Sequence, residues 1–550
     1  MEHFRLIAAI VLSLAVFLIY DLVFVDRRDV PPLETQREAV EETRERPDRP
    51  DAVDETRPQP IAELPDVPEK TFETITVHTP LYEAEISEMG AALRRLDLNE
   101  YFEHTGPDSP RKAMIPVENP IGTGLVEISG TEEPLYRQPF ATDFEESSLT
   151  VYDESANLSF FLQSDDGLVL EKRYTFHPDR YNIDMRVVVR NESDSIADRE
   201  LTVLMTNPPP PDQRRFTFSG PFVHVDGNLE EVDIKDIADN STYSGTIGFA
   251  GLQDTYFMTT LIPRSPADTS IILNEDAASG ILRIAYQQPM DLLAPGSQVH
   301  HDFHLFMGPK KLSLLRDFGQ GLDQVVNFGI FSFIATPALW LMNFIHDNIV
   351  ANFGVAIILI TLLIKVIFWP LGNKSYKSMA EMRKLQPLMM EIREKHKDDK
   401  RKMNEEVMNL YKTYKINPLS GCLPMVVQIP VFIAFYRMLY EAIELRHASF
   451  MLWINDLSVP DRLFNFDITI PLMAPPYGIP VLTLIMGASM FLQQRLAPPP
   501  GDPMQARIMM MLPIVFTFIF INFPSGLVLY WLVNNLVSIG QQYHVNRKYS

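Results

Sequence analysis

The sequence predicts a multi-span α-helical membrane protein with six transmembrane helices, a large β-sandwich domain outside the membrane and a helical hairpin on the cytoplasmic side. Three observations predict it. Six apolar runs of helix length are spread over the 550 residues, period-2 runs crowd the stretch before residue 325, and a basic, helix-patterned segment follows the second apolar run.

The first run, Leu6 to Val25, follows a short segment containing Arg5 and lacks a small-x-small cleavage site before Asp26. It reads as an uncleaved signal anchor, residues 1–25. Residues 26–70 are rich in Pro, Glu, Asp and Arg, too polar to bury a core, and read as a disordered tether.

From residue 71 to 325 the pattern changes to short alternating runs. Ile75 to Val77, Leu168 to Leu170, Tyr181 to Val189, Leu201 to Leu204, Ser270 to Leu273 and Ile281 to Ile284 are separated by Gly, Pro, Asn and Asp, as expected of a β-sandwich. Its most metal-like cluster is His300, His301 and His304. In a strand, His300 and His304 share a face about 13 Å apart at 3.3 Å per residue, too far for one zinc ion without other ligands. Residues 326–349 are aromatic-rich but carry Pro337, and read as a helix on the outer membrane surface.

Residues 350–545 hold five further spans, at about Val350–Leu371, Gly421–Tyr440, Ile479–Leu492, Ile508–Phe523 and Ser525–Gly540. Lys365 stands inside the first of them. A lysine at the bilayer centre costs about 2.5 to 3.5 kcal/mol on insertion scales, so it faces protein or water. One reading has its stem snorkel past Leu371, about 9 Å away at 1.5 Å per residue. The other places it in a shared polar interior. Thr361 one turn earlier, with Gln428, Asn534 and Asn535 on later spans, supports the second, because unpaired amides are costly in hydrocarbon.

Residues 373–416 form the cytoplasmic hairpin, with twelve Lys/Arg against seven Asp/Glu in 374–415. Apolar residues recur from Met379 to Ile392 and from Met403 to Leu410, predicting two amphipathic helices that turn near 396–399. Such a face is either simply solvated or a dock for anionic lipid headgroups or ribosomal RNA.

Charge orients the chain. Residues 26–325 hold 27 Lys/Arg against 55 Asp/Glu, whereas residues 326–550 hold 20 against 14. The outer loop 441–478 has only Arg446 and Arg462 beside five carboxylates. The positive-inside rule puts both termini in the cytoplasm and residues 26–349 outside. The single cysteine, Cys422, excludes an intrachain disulfide. No HExxH, Walker loop or nucleophile elbow is present, so no catalytic residue, metal or cofactor is expected.

The stretches Asn417-Pro-Leu-Ser-Gly-Cys-Leu-Pro-Met-Val-Val-Gln-Ile-Pro430, Asp502-Pro-Met-Gln505 and Phe523-Pro-Ser-Gly-Leu-Val-Leu-Tyr530, with Asn534 and Asn535 after them, resemble the YidC membrane-protein insertase family. So do GLQDTYFMTTLIP at 251–263 and the order of parts, which matches the Gram-negative long form with its large periplasmic domain. The resemblance implies an inner-membrane insertase and chaperone, alone or with the Sec translocon, that hydrolyses no nucleotide. Its implied partners are nascent membrane proteins, the ribosome, the Sec translocon and membrane lipids, and no DNA.

It further implies a hydrophilic groove open to the cytoplasm. Position 365 matches the family's positive residue, most often arginine; lysine keeps the charge but loses the forked guanidinium. Thr361, Gln428, Tyr530, Trp531 and Asn535 match other groove positions, and Asn534 joins them on polarity. The periplasmic part resembles a sugar-mutarotase-like sandwich without evident catalytic residues. A transporter of small anionic solutes using Lys365 is the alternative, although no inverted repeat is evident.

Overall fold

The computed structural model describes residues 73–131, 133–210, 217–276, 279–397, 399–414, 423–466, 468–496 and 503–549. The expected anchor (1–25), the whole of the expected tether (26–70), Asn417 to Cys422 and Asp502 lie outside the described residues.

The β-rich part is a sandwich of two sheets. One has five strands in the order Arg111–Ile115, Ala92–Phe102, Tyr82–Ser87, Thr74–His78 and Ser148–Thr150. The other has thirteen: eleven run in the order Leu125–Ile128, Glu200–Asn207, Leu282–Pro289, Ala267–Glu275, Thr242–Gln253, Phe257–Pro263, Gln298–Pro309, Asn182–Asn191, Leu168–Phe176, Ala156–Gln163 and Ala141–Thr142, and Gly220–Val225, paired with Asn228–Glu231, branches from Thr242–Gln253. All six alternating runs lie in these strands or at their ends.

Alternation builds the core directly. In Leu168–Phe176 the odd positions Leu168, Leu170, Tyr174 and Phe176 point inward with only Lys172 breaking the apolar row. Lys172 is 1% exposed and donates to the carbonyls of Gly90 (3.2 Å) and Ala91 (2.8 Å), while the Tyr174 hydroxyl also donates to Ala91 (2.8 Å). Both side chains thus clamp the turn between two strands of the opposite sheet. Gly90 has φ +67°, and a Cβ there would lie 2.8 Å from the Tyr136 carbonyl oxygen, so only glycine fits. Burial pushes the Lys172 ammonium well below its ordinary value against the opposing pull of Glu127, whose own carboxyl burial pushes up to about 7.

His304 is engaged within the sheet. Its Nδ1 lies 2.7 Å from Asp184 Oδ1, and His177 Nε2 lies 3.1 Å from Asp184 Oδ2, so one carboxylate sits between two imidazoles. Burial pushes the Asp184 carboxyl up, but the hydrogen bonds and charges of His304 and His177 prevail and hold it at about 2.

Nine helices are described after the sandwich: α1 (Leu312–Phe318), α2 (Ser332–Asn348), α3 (Phe353–Lys384), α4 (Gln386–Lys395), α5 (Lys400–Thr413), α6 (Leu423–Glu441), α7 (Val481–Leu496), α8 (Pro503–Phe520) and α9 (Ser525–Tyr549). Among the described residues two stretches, Gly329–Asn348 and Phe353–Lys384, are long and apolar enough to cross a membrane. The first is the segment expected to lie on the membrane surface. Its Ala335, Leu339, Met342 and Ile345 pack inward while Trp340 and Phe344 stack outward at 5.6 Å.

Helix α3 departs from the expected boundary. It does not stop at Leu371 but continues to Lys384 as one rod of about 48 Å, carrying the span and the start of the first expected hairpin helix, Met379 and Met382, while Leu388, Met389 and Ile392 fall on α4. Gly372 is the reason it passes so close to α9: a Cβ at 372 would meet Gln541 at 2.8 Å, and Gln541 donates to Asn373 Oδ1 (3.0 Å). The break comes instead at Leu385, where Pro387 opens α4. Helices α4 and α5 pack together, with the Tyr411 hydroxyl 3.3 Å from Met389 Sδ.

Within the sandwich, half-buried Lys310 donates to Gln253 Oε1 (2.8 Å) and to the Asp254 carbonyl (2.9 Å). One half-buried cation reaches the sandwich from the loop after α6. Arg446 donates to the Glu103 carbonyl (3.3 Å) and stands 5.1 Å from the Phe257 ring centre.

Candidate functional site

Helix α9 organises the site because three of its polar residues, Asn534, Ser538 and Gln541, recur at i, i+4 and i+7 and so share one face. Each meets a different group. Asn534 Oδ1 accepts from Gln428 Nε2 of α6 at 2.6 Å. Ser538 Oγ accepts from Lys365 Nζ of α3 at 2.7 Å and itself donates to the Asn534 carbonyl at 2.7 Å. Gln541 donates to the Trp369 carbonyl at 2.9 Å. Lys365, Ser538, Asn534 and Gln428 therefore form one connected chain of hydrogen bonds linking three helices.

Depth along the helices agrees between partners. Counting at 1.5 Å per residue from the outer helix ends, Lys365, Ser538 and Gln428 lie about 18 to 20 Å down. Lys365 is half-buried. Its neighbours Val366 and Ile367 turn outward, whereas Thr361 and Ile357 turn into the bundle. The ammonium thus sits at the boundary between the packed face of α3 and its exposed face. An ammonium has three protons to donate. Among the described residues no carboxylate forms an ion pair with it.

The other expected residues divide into three groups. Asn535 is buried and donates to Ser489 Oγ of α7 at 3.1 Å, extending the polar seam sideways. Thr361 is not joined to the network: its hydroxyl donates to the Ile357 carbonyl one turn back at 2.7 Å. Tyr530 and Trp531 belong to an aromatic cluster on the outer side of the network. Tyr530 stacks on Phe435 at 5.0 Å, and its hydroxyl faces Gln428 without closing a hydrogen bond. Trp531 meets Phe432 edge-on at 4.6 Å and Phe520 at 4.9 Å.

Sequence reasoning missed Ser538, Gln541 and Ser489. The i, i+4, i+7 spacing from Asn534 was the available signal for the first two; nothing in the sequence pairs Ser489 with Asn535.

The outer end of this bundle is closed by the loop after α6. Leu445, Ile454 and Leu457 are buried against Leu527 and Tyr530. The Gly526 amide donates to the Leu457 carbonyl (2.9 Å), the Ser525 amide to Val459 (2.8 Å) and the Ser525 hydroxyl to Asp456 (2.8 Å). Asp461 reaches the start of α7, accepting from the Leu482 amide (2.7 Å) and the Thr483 hydroxyl (3.1 Å). An outer lid, an aromatic layer and then a polar seam follow one another along the bundle.

Known proteins carry the same parts. Residues 344–550 match the family described as 60Kd inner membrane protein, and residues 74–341 match the YidC periplasmic domain. The membrane protein insertase YidC of Syntrophus aciditrophicus is 38% identical, covering 99% of each chain. That of Pelobacter propionicus is also 38% identical over 99% of each. A crystal structure of an active YidC insertase with its first transmembrane domain resolved is 20% identical, covers 88% of this chain and 95% of its own, and has a TM-score of 0.38. On the full-length identity to its curated relatives, this chain belongs to the YidC family of inner-membrane protein insertases.

Proposed function

We propose that this protein is a membrane-protein insertase and chaperone of the inner membrane, and that the seam from Lys365 to Gln428 is where a polar substrate segment is received. The observation that carries the reading is the connected chain Lys365, Ser538, Asn534, Gln428, set between apolar helices and beneath a closed outer lid. In hydrocarbon such groups are expensive; a polar tail entering beside them exchanges its water for amide and hydroxyl partners instead of for lipid. Lys365 attracts an acidic tail, and burial of the substrate's apolar helix in lipid drives the transfer. No covalent step is involved, and no residue acts as a catalytic acid, base or nucleophile.

In this reading the chain crosses six times, with both termini cytoplasmic and residues 26–349 periplasmic. The α3, α6, α7, α8 and α9 helices supply five crossings and residues 1–25 the sixth. Helices α4 and α5 receive the ribosome, and the Sec translocon hands over larger substrates. Asn535, Thr361, Tyr530 and Trp531 line or support the receiving groove. Nothing in the relatives favours the alternative of anion transport.

The test is photo-crosslinking to a stalled nascent chain from Gln428 and Trp531, with exposed Ile367 as the lipid-side control. Adducts concentrated at 428 and 531 support the seam as the receiving site. Equal yields from all three positions overturn it.

A further inference from the structure

Residues 463–479 form a two-stranded hairpin, Leu463–Phe466 paired with Tyr477–Ile479, directly before α7. Its sequence, LFNFDITIPLMAPPYGI, has a single charged residue, Asp467. Yet its large apolar side chains point away from the protein: Phe464 is 69% exposed, Ile468 73% and Leu472 78%. Scattered apolar residues on a surface need no explanation, but three so exposed within nine positions form a patch.

The patch is built rather than slack. Phe464 and Leu472 both hold φ in the left-handed region, at +57° and +67°, which residues with a Cβ avoid. Arg462 turns to the protein, donating to the carbonyls of Pro476 (2.9 Å) and Ile521 (2.9 Å). Asn522, just beyond α8, donates to the Leu472 carbonyl (2.8 Å) and accepts from the Ala474 amide (2.8 Å). The hairpin is therefore pinned to the outer ends of α7 and α8, with Phe464, Ile468 and Leu472 presented away from them.

Helix α7 supplies the reason such a surface is useful. Its 16 residues rise about 24 Å, short of a hydrocarbon layer of about 30 Å. Leu484 and Ile485 in its first turns, and Val515 and Phe518 of α8, are exposed apolar residues on the two helices to which the hairpin is attached. A span that is too short leaves the layer beyond its end to be filled by flanking apolar groups or by bilayer thinning.

We infer that the 463–479 hairpin is a membrane anchor that lies in the outer leaflet, with Phe464, Ile468 and Leu472 among lipid acyl chains, completing the short span of α7. The inference rests on the reading above in which α7 and α8 cross the membrane. The partner is lipid, not a second chain, because the hairpin is pinned where α7 begins and α8 ends, and the exposed side chains of those two helices nearest it are apolar, with Asp467 the one charge within the hairpin.

Spin labelling of the full chain in phospholipid vesicles tests it. Nitroxides are placed by Ile468→Cys and Leu472→Cys, with Cys422→Ala removing the native thiol, and by Val515→Cys and Asp153→Cys as lipid and water references. Relaxation by oxygen and by a water-soluble nickel chelate should place 468 and 472 with 515. Readings at 468 and 472 that match Asp153 overturn the anchor while leaving the spanning reading intact. Water-like readings at 515 as well overturn the spanning reading with it. Shielding from both reagents, or spin–spin broadening, means a protein partner or a second copy and also overturns the lipid assignment.

Discussion

Lys365 on α3 and Ser538 on α9 stand 173 positions apart in sequence and 2.7 Å apart in space, and their hydrogen bond joins the one cation of an apolar run to a polar stripe on another helix. The charge is therefore held at a set depth rather than released to a surface. Its remaining protons are what a substrate carboxylate can use.

In the proposed function the sign of that charge governs substrate choice. Lys365→Glu should lower insertion of small acidic-tailed membrane proteins into proteoliposomes about tenfold or more, Lys365→Ala less, and Lys365→Arg should retain most activity. Wild-type insertion by the Glu variant would refute charge attraction.

Ser538 acts through Lys365. We expect Ser538→Ala to slow insertion of acidic-tailed substrates by about two- to fivefold, the scale of one lost hydrogen bond of about 0.5 to 1 kcal/mol, with little effect on neutral-tailed ones. The comparison of the two substrate classes in the same vesicles separates this role from general helix packing.

In the sandwich, Lys172→Met takes from the Gly90 carbonyl its lysine donor and leaves the Ala91 carbonyl with the Tyr174 hydroxyl alone, in a buried setting. We expect a loss of about 2 kcal/mol, with Tyr174→Phe costing about 1, measured by denaturant unfolding of the purified protein with the sandwich followed by near-ultraviolet circular dichroism.

Asp184 sets an acid limit. Its folded value of about 2 lies below the ordinary 3.8, so its contribution is present in full above about pH 4 and is lost as pH falls toward 2. The shift corresponds to at most about 2 kcal/mol. Asp184→Asn should remove that amount at neutral pH and flatten the acid limb of the stability profile; an unchanged limb would place the acid sensitivity elsewhere.

Residues 383–402 hold eight Lys/Arg against four Asp/Glu at the tip of the hairpin that α3 feeds. Their removal should weaken co-sedimentation with ribosomes, most at low salt and less as salt screens the phosphate contacts of the intact hairpin, while leaving the bundle folded.

The amino-acid sequence by itself determined the division into an exported β-rich half and an apolar helical half, because period-2 and helix-length apolar patterns are local properties of the chain. It also singled out Lys365, Gln428, Asn534 and Asn535, since a polar group in an apolar run is conspicuous wherever the run ends up. Tertiary structure alone decided who meets whom. The Ser538 hydroxyl is an unremarkable side chain until α9 brings it to α3, Thr361 proved to be satisfied by its own helix, and Tyr530 and Trp531 went to the aromatic layer. The end of α3 was hidden for the same reason: nothing local marks residue 372 as a close approach to Gln541, because partners far apart in sequence are chosen by packing rather than by pattern.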